Sequence, residues 1–321
     1  MVRAVEGILL IDKEEGETSY DVVRKVKKVF PKVKVGHAGT LDPFATGLLV
    51  LLLGAATKVS RFLMREDKVY WARVKLGVET DTLDPTGRVT GVKPVPRLSW
   101  QDVKEAVRGL VGEVDQIPPS YSALRIGGKR AYELARRGEA VVLRPRRIKI
   151  HSVKLLALEE DTLEIEIDCS AGTYVRSLAS DLAQALGTCG HLLALRRVRS
   201  GCLFVDQAMP SGELNPENAD IIGGAIHSLK DSLCSMEEVE VSGALAAKIR
   251  NGYQPRLNEL RGRKLPALKG EFLKVVCGKE LVAIVSLEDQ RKDMRGRLRL
   301  EKVFPKVLQE VKSRKDFKET I

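Results

Sequence analysis

The feature that most constrains the fold is an uninterrupted apolar run, LLVLLL, at residues 48–53. Six apolar residues that end at Gly54 are typical of a strand buried on both faces. The segment before the run, HAGTLDPFATG at residues 37–47, combines glycine, proline and threonine with one carboxylate. Such residues form tight turns. The sequence therefore predicts that Asp42 lies in a loop at the mouth of a buried strand.

Few kinds of site could use this loop. A metal site needs several converging ligands, and the loop offers only His37 and Asp42. The chain has neither the GxxxxGK[ST] pattern of a phosphate-binding loop nor the GxSxG pattern of a nucleophilic serine. What remains is an aspartate that acts as nucleophile or general base, or an Asp–Pro turn that caps its own backbone. The loop alone leaves both interpretations open.

Two other patterns predict no chemistry. The second Asp–Pro pair, Asp84–Pro85, stands among turn residues in TDTLDPTG and predicts only a turn. Cys189, His191 and Cys202 lack a second pair of ligands at zinc spacing, so the sequence predicts no metal site there.

Periodicity and caps predict alternating strands and helices. Predicted strands lie at 7–12, 69–76, 152–157 and 162–170, and another follows from residue 192. Predicted helices begin after Thr18, at residue 55, after Ser99 (through residue 114) and within 172–186. Residues 203–235 read as an irregular linker with a helical piece near 225–229, and residues 237–302 have their own small apolar set.

The chain carries 54 Lys and Arg against 43 Asp and Glu, for a net charge of +11. Much of this excess falls at residues 125–149, which contain nine basic residues and two glutamates. A solvated hairpin would usually mix the signs more evenly, so this segment predicts an arm that closes on a phosphate backbone. The predicted RNA contacts are Arg125, Lys129, Arg130, Arg136, Arg137, Arg146 and Arg147, with Arg196 and Arg197 beside a later strand.

No apolar run approaches the roughly 20 residues that cross a bilayer. The N-terminus, MVRAVEGILLIDKEEG, has acidic residues soon after a short apolar run and does not resemble a signal peptide. These features predict a cytoplasmic protein with no membrane partner.

Six segments carry motifs whose order is informative: DKEEGETSYDVV (12–23), GHAGTLDPFATGLLVLLLGAATKVSRFL (36–63), DKVYWARVKLGVETDTLDPTG (67–87), IPPSYSALRIGGKRAYELARRG (117–138), CSAGTYVRSLASDLAQAL (169–186) and HLLALRRVRSG (191–201). Together they resemble the TruB family of pseudouridine synthases over roughly residues 5–205. One departure is Lys13–Glu14, where that family usually has Lys–Pro.

The resemblance implies an α+β fold with a mixed, mainly antiparallel central sheet flanked by helices. It implies a catalytic domain at residues 1–235 with a thumb insertion near 117–150, a PUA-like RNA-binding domain at 236–303 and a charged tail at 304–321. It also implies a monomer that binds the T-arm, and the acceptor end, of tRNA without a protein partner. The long thumb favours a stand-alone enzyme over a guide-RNA-dependent relative, and an RNA-binding or RNA-folding protein with secondary or no catalysis is the other alternative.

The implied reaction converts a uridine of the tRNA T-loop, position 55, to pseudouridine without a cofactor. The resemblance makes Asp42 the nucleophile, with Arg176 pairing with it and lowering its pKa, and Tyr70 stacking on the base and assisting proton removal. The target base must be flipped out of its stack. The implied substrate contacts are His37, which takes up stacking, Lys13, Lys58 and Tyr174 at the pocket border, and Leu195 as an apolar wall.

Overall fold

A computed structural model of the chain describes residues 5–122, 124–137, 139, 143–260, 272–287 and 298–306. The chain divides into two compact units, Met1–His227 and Ser228–Ile321. The predicted domain boundary, at 235–236, lies a few residues later in the chain.

A sheet of ten strands forms the centre of the first unit. Its strands are β1 Gly7–Lys13, β2 Val35–His37, β3 Thr46–Leu53, β4 Lys68–Leu76, β7 Gly112–Gln116, β10 Arg146–Leu158, β11 Thr162–Cys169, β12 Gly190–Ser200, β13 Leu203–Phe204 and β14 Met209–Pro210. Their order along the main path is β14-β1-β3-β12-β4-β11-β10-β7, while β2 pairs with β3 and β13 with β12. Only β1–β14 and β3–β12 are parallel pairs among the described strands of this sheet, so the predicted mixed, mainly antiparallel α+β fold is confirmed. Two short hairpins lie outside the sheet: β5 Val78–Thr80 with β6 Val89–Val92, and β8 Arg125–Ile126 with β9 Lys129–Arg130.

The apolar run is the centre of this sheet. Strand β3 is buried from Gly47 to Leu53 and pairs with β1 along its whole length. Its first residues also pair with β12, so both edges of β3 have a neighbouring strand there, and the side chains of Leu48 to Leu53 are buried on both faces. Burial of a leucine side chain contributes roughly 1.5–3 kcal/mol, which makes this strand a rigid base for the loop that precedes it.

Two of the predicted helices begin where the caps indicate. Thr18 and Asp21 form a capping box at the start of α1, Ser19–Val29, and Ser99 and Asp102 form another at α3, Trp100–Gly109. Helix α3 is shorter than predicted, because the chain turns at Gly112 (φ +120°) and enters β7. The remaining helices of this unit are α2 Ser60–Leu63, α4 Ala131–Arg136, α5 Val175–Ala185 and α6 Ala219–Gly224.

Two other predictions of helices need correction. The helix expected at 55–64 is a 3₁₀ helix, Gly54–Val59, followed by the single turn α2. The helical piece expected near 225–229 is displaced to α6 and to α7, Leu229–Ser232, because His227 between them pairs with Ile8 through N–H···O=C bonds of 3.0 and 2.8 Å. A backbone pair of this kind outweighs the weak local propensity of the segment.

The thumb segment, residues 117–150, contains the hairpin β8–β9 and helix α4 in its described part. Its last five residues belong to the central sheet, since Arg146–Ile150 of β10 pair with β7. The part of the predicted thumb that lies outside the central sheet therefore ends before Arg146.

The second unit has its own four-stranded sheet in the order β15-β16-β17-β18. The strands are β15 Glu237–Glu240, β16 Phe272–Cys277, β17 Glu280–Leu287 and β18 Leu298–Val303, and helix α8, Gly243–Arg250, packs against them. Phe304 is buried and its N–H binds Val282 O at 2.9 Å, so it belongs to this packed unit rather than to the predicted tail. Residues 307–321 of that tail lie outside the described part. Within the described residues, no helix has the length and apolar character needed to cross a membrane.

Candidate active site

The Asp42 loop connects β2 to β3 and has two glycines, Gly39 and Gly47, near its ends. Gly39 and Gly47 have φ angles of +113° and +94°, which glycine adopts without strain. A Cβ atom at Gly47 would stand 2.3 Å from the carbonyl oxygen of Arg197. Glycine at this position therefore lets β12 approach the base of the loop.

A turn at residues 13–19 holds both neighbours of Asp42. The Ser19 hydroxyl accepts a hydrogen bond from the Leu41 N–H (2.9 Å) and donates one to the Leu41 carbonyl (3.2 Å). On the other side, the Pro43 carbonyl accepts from Lys13 Nζ (3.2 Å) and from the Gly16 N–H (2.8 Å). The backbone that carries Asp42 is thus fixed from two directions.

Arg176, in the first turn of α5, is the main partner of Asp42. Its side chain is only 5% exposed, and its Nε lies 2.9 Å from Asp42 Oδ2. The same guanidinium donates from Nη1 to Thr82 O (2.9 Å) and from Nη2 to Tyr121 O (2.9 Å). Its fork geometry allows it to hold the Asp42 loop, the 80–84 segment and the start of the predicted thumb at once.

The pKa of Asp42 departs from the expected direction. We expected Arg176 to lower it, but burial raises the pKa of Asp42 above its usual value, and Asp84 adds to the rise. Arg176 and Lys13 oppose that rise without cancelling it. The Asp42 side chain is still 36% exposed, so the carboxylate remains accessible to a substrate.

Asp84 belongs to this site, which the sequence prediction missed. The predicted turn is present, because Asp84 Oδ1 accepts from the Thr86 N–H at 3.0 Å. Its other oxygen, Oδ2, lies 3.5 Å from Arg176 Nη1, and the residue is buried. The Asp–Pro turn therefore carries a second carboxylate that contacts a different nitrogen of the same guanidinium.

Tyr70 lies on β4 directly across from Arg197 on β12, and the next pair on the same face is Ala72 with Leu195. Burial raises the pKa of Tyr70, while a hydrogen bond from Arg197 works in the opposite direction. Leu195 is buried and packs in the core cluster that Tyr70 borders. Because burial raises the pKa of Tyr70 above its usual value of about 10, its phenol is protonated at neutral pH.

Arg197 does not have the predicted role. It is only 2% exposed and donates from Nε to Leu48 O (2.7 Å) and from Nη2 to Gly39 O (3.2 Å). These bonds tie the Asp42 loop to the start of the buried strand. A side chain so placed cannot reach an RNA backbone, so the prediction of RNA binding is wrong for Arg197.

Two of the predicted substrate contacts, His37 and Tyr174, lie close to the Asp42–Arg176 pair. His37 ends β2, and burial and Arg197 lower its pKa, so its imidazole is neutral at neutral pH. Tyr174 caps α5 and is half-buried, and its main-chain N–H and carbonyl bind the Gln116 side chain at 2.8 and 3.0 Å. Both residues lie on segments that border Asp42 or Arg176.

Lys13 lies beside Asp42 but is enclosed in the loop, whereas Lys58 lies far from Asp42. Lys13 is 0% exposed, and its ammonium donates to Glu14 O, Glu17 O and Pro43 O, so it supports the loop from within. Lys58 follows the far end of β3, where its charge acts on Glu6. An eight-residue strand at about 3.4 Å per residue separates it from the Asp42 end of β3.

The other basic residues have different surroundings. Lys129, Arg137 and Arg146 are exposed. Arg147 pairs with Glu113 (2.7 Å), and Arg196 makes a two-pronged pair with Asp12 (2.9 and 2.6 Å). The side chains of Arg125, Arg130 and Arg136 lie outside the described part. Within the described residues, no group of three or more His, Cys, Asp or Glu side chains could hold a metal ion.

Comparison with known proteins identifies the family. The sequence profile of the TruB family pseudouridylate synthase N-terminal domain matches residues 27–175. The chain is 42% identical over 250 residues to tRNA pseudouridine synthase B of Aromatoleum aromaticum, across 78% of this chain and 81% of that protein. It is also 42% identical over 282 residues to tRNA pseudouridine synthase B of Solibacter usitatus, across 87% of this chain and 95% of that protein. The chain belongs to the TruB family of tRNA pseudouridine synthases.

Solved structures agree with the fold of a TruB-family chain. The crystal structure of a Cbf5-Nop10-Gar1 complex matches with a TM-score of 0.76 at 24% identity, across 95% of this chain and 87% of that chain. The archaeal box H/ACA sRNP Nop10-Cbf5 complex matches with a TM-score of 0.73 at 22% identity, across 95% and 88%. At these identities the likeness concerns the fold alone.

Proposed function

We propose that the protein isomerises the T-loop uridine of tRNA, position 55, to pseudouridine, with Asp42 as the nucleophile and no cofactor. The observation that carries the proposal is the Asp42–Arg176 pair at 2.9 Å, set in a loop whose two neighbouring residues are fixed by hydrogen bonds. The names of the curated relatives supply the substrate class, tRNA.

The reaction needs only groups that the site contains. The C1′–N1 bond breaks, the detached uracil rotates, and a C5–C1′ bond forms. The proton leaves C5 and N1 takes one from solvent, so atoms and electrons balance without an oxidant or donor. Asp42 attacks either C1′ or C6 and is released when the new bond is complete.

Neighbouring residues have defined parts in this proposal. Arg176 orients the carboxylate, and Asp84 and the carbonyls of Thr82 and Tyr121 orient Arg176. Tyr70 stacks on the flipped base and assists removal of the C5 proton. Such acid–base assistance is worth about 10²–10⁴ in rate. Flipping the base costs a few kcal/mol, which stacking by neutral His37 in the vacated position would offset.

Binding of the tRNA is proposed to use the thumb and the second unit. Exposed Lys129, Arg137 and Arg146 would neutralise phosphates, and the second unit would act as a PUA-like domain on the acceptor end. Lys129→Glu should weaken tRNA binding and reduce the slope of log K against log salt by about one phosphate contact.

The test uses a tRNA transcript that carries 5-tritiated uridine, incubated in chelator and without any guide RNA. Wild type should release about one tritium per tRNA, and Asp42→Asn should release none. Asp220→Asn, an exposed carboxylate on α6, is the matched control and should behave as wild type. A transcript with cytidine at position 55 should release none, which maps the target.

Two results would contradict the proposal. Release from the cytidine-55 transcript would reject the position. Tight tRNA binding by wild type without any release would instead indicate an RNA-binding protein or a guided enzyme.

A further inference from the structure

Ser211 lies far along the chain from the Asp42 loop but is connected to it by hydrogen bonds. The residue is 0% exposed and begins a 3₁₀ helix, Ser211–Glu213, directly after β14. Strand β14 pairs in parallel with β1, with Met209 beside Ile11 and Pro210 beside Asp12. This pairing brings Ser211 to the end of β1, where the turn at residues 13–19 starts.

The Ser211 hydroxyl binds that turn at two points. Its Oγ accepts a hydrogen bond from the Glu14 N–H at 3.2 Å and donates one to Glu17 Oε2 at 2.6 Å. A hydroxyl can donate and accept at once, which no apolar side chain of similar size can do. One buried oxygen thus links the second and fifth residues of the turn.

Helix α1 closes the arrangement. Glu17 forms an ion pair through its other carboxylate oxygen with Lys25, and Lys25 Nζ also donates to Ser211 O at 3.2 Å. Ser211, Glu17 and Lys25 therefore join the 3₁₀ helix to the turn and to helix α1, which directly follows the turn. Glu17 and Lys25 are partly exposed, but a connected network with satisfied partners holds one arrangement of the backbone more firmly than separate contacts do.

The residue at position 14 makes this connection possible. A proline there would stiffen the turn through its ring but would have no N–H to donate. Glu14 has that donor, and Ser211 is its acceptor. The hydrogen bond thus supplies rigidity that the backbone of residue 14 lacks.

We infer that Ser211 is a positioning residue for the reaction, because it locks the turn whose Ser19 and Lys13 hold the residues on either side of Asp42. This inference rests on the proposed role of Asp42. Ser211 does not touch the substrate; it acts through Glu17, the Glu14 N–H and the turn at 13–19.

The first test is Ser211→Ala, measured by tritium release in a single turnover with excess enzyme. The rate should fall about tenfold, less than the ~10²-fold that a 1 Å misplacement can cost, while the Kd for tRNA stays unchanged. The pH dependence of the rate should also shift, because the pKa of Asp42 depends on its contact with Arg176 as well as on its burial. Thr162→Val is the control, since it removes a buried hydroxyl that binds Glu159 at 2.9 Å, remote from the turn.

A double-mutant cycle tests the route. Glu17→Gln should also slow the reaction, and its effect should not add to that of Ser211→Ala if both act through one network. Ser211→Cys, which keeps the volume and a weak donor, should fall between wild type and Ser211→Ala, and it replaces the alanine variant if that variant does not fold.

Hydrogen exchange of residues 37–47 gives a readout that does not need activity. Ser211→Ala should speed exchange there, and Thr162→Val should not. If wild type is active and Ser211→Ala matches the control in rate and exchange, the inference is wrong. If wild type releases no tritium, the proposed function fails, and faster exchange in Ser211→Ala still supports the positioning role whereas unchanged exchange overturns it.

Discussion

Replacement of Arg176 by lysine should separate its charge from its geometry. The arginine donates to Asp42, Thr82 O and Tyr121 O, each at 2.9 Å, and lies 3.5 Å from Asp84. A lysine keeps the positive charge but has one nitrogen, which cannot reach carbonyls in directions that a guanidinium fork spans.

The size of the effect follows from the lost contacts. If the lysine keeps only the contact with Asp42, two charge-assisted bonds to carbonyls are lost, each worth about 1.5–3 kcal/mol. The lower end of their sum, roughly 3 kcal/mol of transition-state positioning, corresponds to a rate about 10²-fold lower. The binding of tRNA should change little, because the Arg176 side chain is only 5% exposed and its contacts lie within the protein.

The assay is single-turnover tritium release, with a filter-binding measurement of the Kd for tRNA. Arg199→Lys is the matched control, because Arg199 pairs with Asp168 at 2.8 Å on the same sheet but outside the site. A rate for Arg176→Lys within about threefold of the Arg199→Lys rate would refute the argument that the fork geometry matters, since charge alone would then suffice.

Three further predictions concern the surroundings of the site. Arg197→Ala should destabilise the protein by about 3 kcal/mol, because two carbonyls lose a charged donor. Arg196→Ala should cost about 1 kcal/mol or less, because its ion pair with Asp12 is partly exposed. Urea unfolding measures both values. Gly47→Ala should cost at least about 2 kcal/mol, since its Cβ would stand 2.3 Å from a carbonyl oxygen at a φ of +94°; Gly223→Ala, with no atom within 4 Å, should cost nothing. Burial lowers the pKa of Lys68 to about 8. Between that pH and about 10.5 the unfolded chain binds more protons than the folded chain, so the free energy of unfolding rises with pH. In Lys68→Met, the rise in melting temperature from pH 8 to pH 9 should be smaller than in wild type.

Local sequence signals predicted the elements that fix the loop. The apolar run gave no alternative to a buried strand, and the caps at Thr18 and Ser99 placed the starts of α1 and α3. Where tertiary contacts decide, local signals failed. Gly112 ended α3 early, and the pairing of His227 with Ile8 displaced the helices of the linker.

The pair of Asp42 and Arg176 could be predicted because each lies in a motif of the family. The direction of the Asp42 pKa could not, because it depends on how much burial outweighs Arg176, and burial is a property of the folded chain. Asp84 was missed for a similar reason. Its turn is a local feature that the sequence contains, but its contact with Arg176 joins residues 92 positions apart.

The error at Arg197 has a different origin, because strand geometry could have prevented it. Successive side chains on a strand point to opposite faces. Leu195 was predicted to line the pocket, so Arg197 had to share that face, and Arg196 had to point away from it. The pairing bears this out: Leu195 and Arg197 face Ala72 and Tyr70 across β4, and Arg196 pairs with Asp12 instead. Arg196 and Arg197 are adjacent and carry the same charge, but they have different roles because their side chains lie on opposite faces of the strand.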